Sequence, residues 1–207
     1  MTEKDKQTEE KIFEAATAVF IEKGMAGTRM QEIADRAGIN KSLLHYYFRT
    51  KERLFTAVYE VIVRQLFQKI APMFEKKLTL ENKIRLFVSE HMSFLQQNPR
   101  LVPFFLNEIN RNPKIVKSFI EKLEIDKFWD SLNLLHKEEL VRYSITRENI
   151  PQLITSIFAL SGFPFMAKEL IVCVFEKTGY DFDNYIEQRK EYVADFVINA
   201  IKNNTIG

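Results

Sequence analysis

Residues 30–49 read MQEIADRAGINKSLLHYYFR, and this stretch restricts the fold more tightly than any other in the chain. Two short helices that meet at a steep angle need a small residue at their crossing, a turn residue that tolerates positive φ, and a shared miniature core. Ala34 supplies the first and Gly38 the second. Ile33, Ala37, Ile39, Leu44 and Phe48 fall at the spacings the third requires. A helix-turn-helix over about residues 29–48 follows, with a second helix at about 40–48 capped by Asn40.

With Leu44 pointing inward, the helical step of about 100° per residue turns Ser42, His45 and Tyr46 outward and sets Lys41 and Leu43 at the flanks. Polar groups on the exposed side of such a helix are what reading base edges in a major groove demands. A plain helical hairpin would need the glycine turn, but not the whole set in register.

Charge points the same way. The chain of 207 residues carries a net +2, too little to mark the whole as a nucleic-acid binder, yet Arg36–Arg53 alone carries +4. The length suits a small module plus a larger domain, and 46% hydrophobic with 28% charged residues suits a folded chain. Cys173, the single cysteine, cannot form an intrachain disulfide, and its apolar neighbours Leu170–Phe175 suggest a buried small hydrophobe. The first residues, MTEKDK, resemble no signal peptide, and no apolar run approaches the roughly 20 residues of a membrane span, so a cytoplasmic protein is expected.

The pattern is helical almost throughout, giving an all-α fold of about nine helices. A first helix is expected from Thr8 to Lys23, where Gly24 stops it. Thr28-Arg29-Met30-Gln31 fits a capping box for the second. Thr50 would cap a fourth helix running to about Ala71, before Pro72, with Leu66, Phe67 and Ile70 free to pack on the middle helices. Further helices are expected near 80–97, 100–110, 113–137, 149–177 and 184–203, with Asn98-Pro99 and Asn112-Pro113 as starts and a kink near Gly162 and Pro164.

The stretch 8–60 resembles the TetR family of bacterial regulators (TetR/AcrR-like). The residues that carry the resemblance are Gly24-Met25-Ala26-Gly27-Thr28, Ile33-Ala34, Ala37-Gly38-Ile39, Tyr46-Tyr47-Phe48 and Thr50-Lys51-Glu52-Arg53-Leu54-Phe55. The resemblance implies a three-helix DNA-binding domain over 1–52 and a C-terminal helical ligand-binding and dimerisation domain over 53–207. It implies base-edge contact by Lys41, Ser42, Leu43 and His45, a base or phosphate contact by Gln31, and phosphate contacts by Thr28, Tyr46, Tyr47 and Lys51. His45 stands where the family most often has tyrosine, Tyr47 where histidine is common, and Arg29 where a small hydroxyl residue is usual.

Residues 53–207 hold no catalytic constellation, and His45, His91 and His136 lack metal-ligand spacing, so neither an enzyme nor a metal or cofactor is expected. The resemblance implies an apolar inducer pocket in the middle helices, where Phe87, His91, Phe94, Phe104, Phe105, Phe128 and Trp129 form an aromatic set; core packing is the other use for such a set. It also implies a homodimer joined by the last two long helices, which carry Ile154, Ile157, Phe158, Val193, Phe196, Val197 and Ala200. The expected partners are a palindromic double-stranded operator and an unidentified small-molecule inducer that releases a repressor. Two alternatives stay open: a regulator that activates or answers to a protein partner, and a helical binding protein whose DNA module is unused.

Overall fold

Apolar residues recurring every three or four positions build ten helices and no strand among the described residues, which in this computed structural model are 3–75, 77–111, 117 and 125–203. Contacts divide the chain into two compact units.

The first unit holds α1 (Glu3–Gly27), α2 (Met30–Arg36), α3 (Lys41–Tyr47), α4 (Lys51–Glu75) as far as Gln65, and α6 (Leu101–Arg111) from Phe104 onward. This grouping is wider than the residues 1–52 set out from the sequence. Its core gathers Ile12, Ala16, Val19 and Phe20 of α1, Ile33 and Leu44 of the helix-turn-helix, and Leu54, Phe55 and Val58 of α4. Phe20 meets Phe55 edge-on at 5.0 Å, and Phe55 in turn lies 5.8 Å from Phe104.

The second unit holds α5 (Leu80–Gln97), α7 (Ile125–Arg142), α8 (Ile150–Met166), α9 (Lys168–Glu176) and α10 (Phe182–Lys202). Helices α5, α8 and α10 pack on one another through Val88, Met92, Leu95, Ile157, Val193, Val197 and Ile201. Arg189 donates from Nε and Nη2 to the Leu160 carbonyl, at 3.2 and 3.0 Å, and so fastens α10 to α8.

Several expected boundaries move, each for a local reason. Helix α1 breaks at Gly24 (φ 67°, ψ 172°), where it was expected to stop, but a short helical stretch resumes beyond the break as far as Gly27. The capping box does not form: Arg29 is the N-cap of α2 without a side-chain bond, the Thr28 hydroxyl donates back to the Gly24 carbonyl at 2.7 Å, and Gln31 donates to Asp35. Helix α4 continues beyond Ala71 to Glu75. Asn98 terminates α5 and α6 begins only at Leu101, so Pro99 opens no helix. The expected kink falls at Ala167, where α8 and α9 meet at 64°, three residues beyond Pro164. Cys173 is exposed, not buried, and α9 has no buried residue at all.

The expected start at Asn112-Pro113 and the side chains of Leu66, Phe67, Ile70 and Phe128 lie outside the described residues. No single helix among those described is long and apolar enough to cross a membrane.

Candidate nucleic-acid interface

Helix α2 ends in a Schellman motif. Gly38 takes φ 67°, the Ile39 N–H donates to the Ala34 carbonyl at 3.0 Å, and the Gly38 N–H donates to that of Asp35 at 3.2 Å. That turn, and not a longer loop, sets the crossing of α2 and α3. Asn40 then caps α3, its Oδ1 accepting the Leu43 N–H at 2.8 Å. Leu44 is wholly buried, while Ile39 and Phe48 are half-buried, Phe48 edge-on to Phe13 of α1 at 5.5 Å.

Helix α3 buries Leu44 alone; Lys41, Ser42, Leu43, His45 and Tyr46 are exposed. Tyr46 is 80% exposed, a large aromatic surface left to water. His45 Nδ1 lies 3.3 Å from the Arg49 carbonyl, which can only accept, so Nδ1 is the donor. Tyr47 is half-buried and donates to Asp5 Oδ1 at 3.1 Å. Its phenol is held above its ordinary range, first by desolvation and then by that bond.

Beside this helix lies a concavity of about 440 Å³ lined by Thr28, Arg29, Met30, Gln31, Lys41, His45 and Lys51. Its lining carries the cations of Arg29, Lys41 and Lys51 and no carboxylate, so it attracts anions. Five of the lining residues were named from the sequence. Arg29 and Met30 were not, although a base replacing the usual small hydroxyl at position 29 was the available signal.

Thr28 lies only 3% exposed with its hydroxyl already bonded, so it shapes the wall and its side chain is not free for a phosphate. Lys51 Nζ donates to the Thr28 carbonyl at 3.0 Å and reaches that of Ala26 at 3.5 Å. The salt bridges Lys23–Glu32 and Arg36–Glu22 link α2 to α1.

The residues singled out for an inducer pocket divide between the units. Phe104 and Phe105 belong to the first, where Phe105 meets Tyr59 edge-on at 4.6 Å. Phe87, His91, Phe94 and Trp129 belong to the second. There His91 stacks on Phe87 at 5.6 Å and meets Phe158 edge-on at 5.1 Å. Its Nδ1 lies 2.9 Å from Ser161 Oγ, and that hydroxyl spends its own proton on the Ile157 carbonyl at 2.6 Å, so His91 is the donor. Burial pushes the His91 imidazole down to about 4. Phe94 is buried and Trp129 half-buried.

Of the residues assigned to a dimer seam, Ile157, Val193 and Val197 are buried within their own unit and cannot meet a partner as the chain stands. Ile154 and Ala200 are half-buried, and Phe158 and Phe196 are exposed. Phe163, Met166, Leu170, Val174 and Tyr192 of α8, α9 and α10, not named from the sequence, are exposed as well.

The family description "Bacterial regulatory proteins, tetR family" matches residues 12–58. Over 168 residues the chain is 24% identical to the Bacillus subtilis protein named "Probable HTH-type transcriptional regulator YttP", covering 79% of this chain and 80% of that one. It is 31% identical over 110 residues to the HTH-type transcriptional repressor NicS of Pseudomonas putida, covering 53% of this chain and 45% of NicS, so that match spans under half of the relative. A solved TetR transcription regulator from Haloarcula marismortui superposes with a TM-score of 0.65 at 19% identity, covering 94% of this chain and 98% of that one. This last likeness shows the fold alone.

Proposed function

The chain belongs to the TetR family of bacterial regulatory proteins and is a DNA-binding regulator of transcription rather than an enzyme; from that premise we propose that it is a homodimeric, cytoplasmic repressor released from a palindromic operator by a small molecule. In this reading residues 1–52 form the DNA-binding domain and 53–207 the regulatory and dimerisation domain. One observation carries it: α3 turns Lys41, Ser42, Leu43, His45 and Tyr46 outward together, beside a concavity whose charged lining is wholly cationic.

Lys41, Ser42, Leu43 and His45 meet base edges, Gln31 meets a base edge or a phosphate, Tyr46 and Lys51 meet phosphates, and Tyr47 does so when Asp5 yields its hydroxyl. Thr28 contributes the wall behind Lys51. The two copies join through the exposed apolar surface of α8, α9 and α10, which sets their recognition helices about one DNA turn apart, about 34–36 Å. The inducer is apolar or aromatic, matching the character of Phe87, Phe94 and Trp129 in the second unit.

Sequencing the DNA that the purified protein retains from a random pool tests this reading. A palindrome with half-sites one turn apart supports it, and transcription from a promoter carrying that palindrome should fall when the protein is present. Equal retention of all sequences, or a rise in transcription, would contradict the operator or the repressor assignment respectively. Once a ligand is found, it and the operator should weaken each other's binding by the same factor.

A further inference from the structure

Gly24 breaks α1 three residues before its end. With φ 67° and ψ 172° there, the neighbouring peptide groups leave the helical ladder and need partners from outside it. Both find them. The Thr28 hydroxyl donates to the Gly24 carbonyl at 2.7 Å, and the Met25 N–H donates to Glu108 Oε1 at 3.0 Å, from α6 and 83 residues along the chain. Glu108 is only 3% exposed, and a Cβ at position 24 would stand 2.9 Å from the same oxygen. Glycine is therefore required at 24 twice, for its φ and for the approach of the carboxylate. Beyond the break, Lys51 Nζ draws in the Thr28 and Ala26 carbonyls at 3.0 and 3.5 Å. Residues 24–28 are thus held from α6 on one side and from α4 on the other.

We propose that Glu108 is a positioning residue for DNA binding: its carboxylate caps the break in α1 and so fixes the segment that carries Thr28 and Arg29 to the rim of the cationic concavity. The proposal rests on the reading of that concavity and α3 as the DNA-facing surface. Glu108 itself meets no DNA. It acts by holding the Met25 N–H, and through the four residues between Met25 and Met30 it sets where α2 begins. A carboxylate suits this role because an ionised acceptor binds a backbone N–H more strongly than a neutral one does.

The test uses the full chain and an operator duplex selected from random DNA, with Glu108→Gln, Glu108→Asp and Glu108→Ala. Glutamine keeps an oxygen where Oε1 stands, aspartate withdraws the carboxylate by one methylene, and alanine removes it. The Asp and Ala proteins should bind every duplex about tenfold more weakly or worse, the scale of one lost buried bond to a charged group, while Gln restores affinity to within about threefold. Salt dependence should stay unchanged, because no phosphate contact is lost. Amide exchange should quicken at residues 25–28 while α2 and α3 keep their protection.

Wild-type affinity in the Asp and Ala proteins overturns the proposal. So does an equal loss in all three variants with exchange protection gone across α1–α3, which would mean a folding defect and nothing finer. If the Ala protein does not fold, the Gln–Asp pair makes the same comparison. Lys41→Ala on the same duplex separates the underlying reading: if it binds as well as wild type, the DNA-facing surface lies elsewhere and the proposal falls with it. A loss with Lys41→Ala and none with Glu108→Asp removes only the role of Glu108.

Discussion

The Lys51 ammonium lies 3.0 Å from the Thr28 carbonyl and 3.5 Å from that of Ala26, although Lys51 opens α4, where a cation opposes the helix dipole. Two carbonyls offset that penalty. An ammonium has three N–H donors, so one stays available toward the concavity that Lys51 lines. Lys51→Ala should weaken binding to all duplexes alike and make the salt slope shallower by about one unit. Anisotropy titrations at several salt concentrations read both quantities. A changed base preference at an unchanged slope would place Lys51 on a base instead.

Gly38 offers a cleaner view of backbone cost. Its φ is 67°, yet a Cβ built there meets nothing within 4 Å. Gly38→Ala therefore adds left-handed strain and no clash, and should cost about 1 to 2 kcal/mol. Gly38→Asn should cost less, because asparagine visits that region more readily. Urea unfolding of the three proteins gives the order; an alanine variant as stable as wild type would mean the turn changes conformation.

These two sites also show which parts of the fold the sequence discloses. The α2–α3 turn was legible because every signal for it is local: Gly38 makes the positive φ, Asn40 caps three residues on, and Leu44 points inward by helical periodicity. The capping box at Thr28 was misread because a hydroxyl can equally bond the carbonyl four residues back, and the Gly24 break exposes that carbonyl. Helix α7 breaks at His136 (φ −131°, ψ 22°), beside the stop expected near residue 137, but helical residues continue to Arg142, and Ser144 then takes φ 52° where no glycine marks the turn. Glu108 was invisible, since nothing in the spacing of a lone glutamate on α6 points to an N–H that lies 83 residues earlier. Cys173 shows the complementary limit: an apolar run reads the same whether it fills a core or, as in α9, faces outward.

The buried His91 predicts an acid sensitivity of the second unit. Burial lowers its imidazole to about 4 in the folded chain, below the ordinary value of about 6.5 in an unfolded one. The unfolded state therefore binds the extra proton between those values. Stability from this group is complete above about pH 6.5, falls as the pH drops, and is lost by about pH 4, a total of about 3 kcal/mol. Urea unfolding at pH 7, 5.5 and 4 should show His91→Phe less pH-dependent than wild type by up to one proton across that window. Identical pH profiles would mean that His91 is solvated and titrates normally in the fold.

The dimer seam can be tested by setting two neighbouring positions of α10 against each other. Val193 is fully buried within its unit, whereas Phe196 is 53% exposed. Phe196 lies 6.5 Å from the Tyr192 ring, which is exposed too, as are Phe163, Met166, Leu170 and Val174 on α8 and α9. Val193→Asp would bury a charge in the protomer core and should cost several kcal/mol of folding stability, lowering helix content and melting temperature at any concentration. Phe196→Asp leaves the protomer core untouched, so a single copy should keep its helix content. In a dimer the same aspartate would sit in an apolar seam, and the copies should separate. Sedimentation should then show a folded Phe196→Asp monomer, and its melting temperature should lose the concentration dependence expected of wild type. Operator affinity should fall with it, because each half-site then binds its reader independently. A Phe196→Asp protein that remains dimeric and binds the operator as wild type would move the interface off α10, whatever Val193→Asp does.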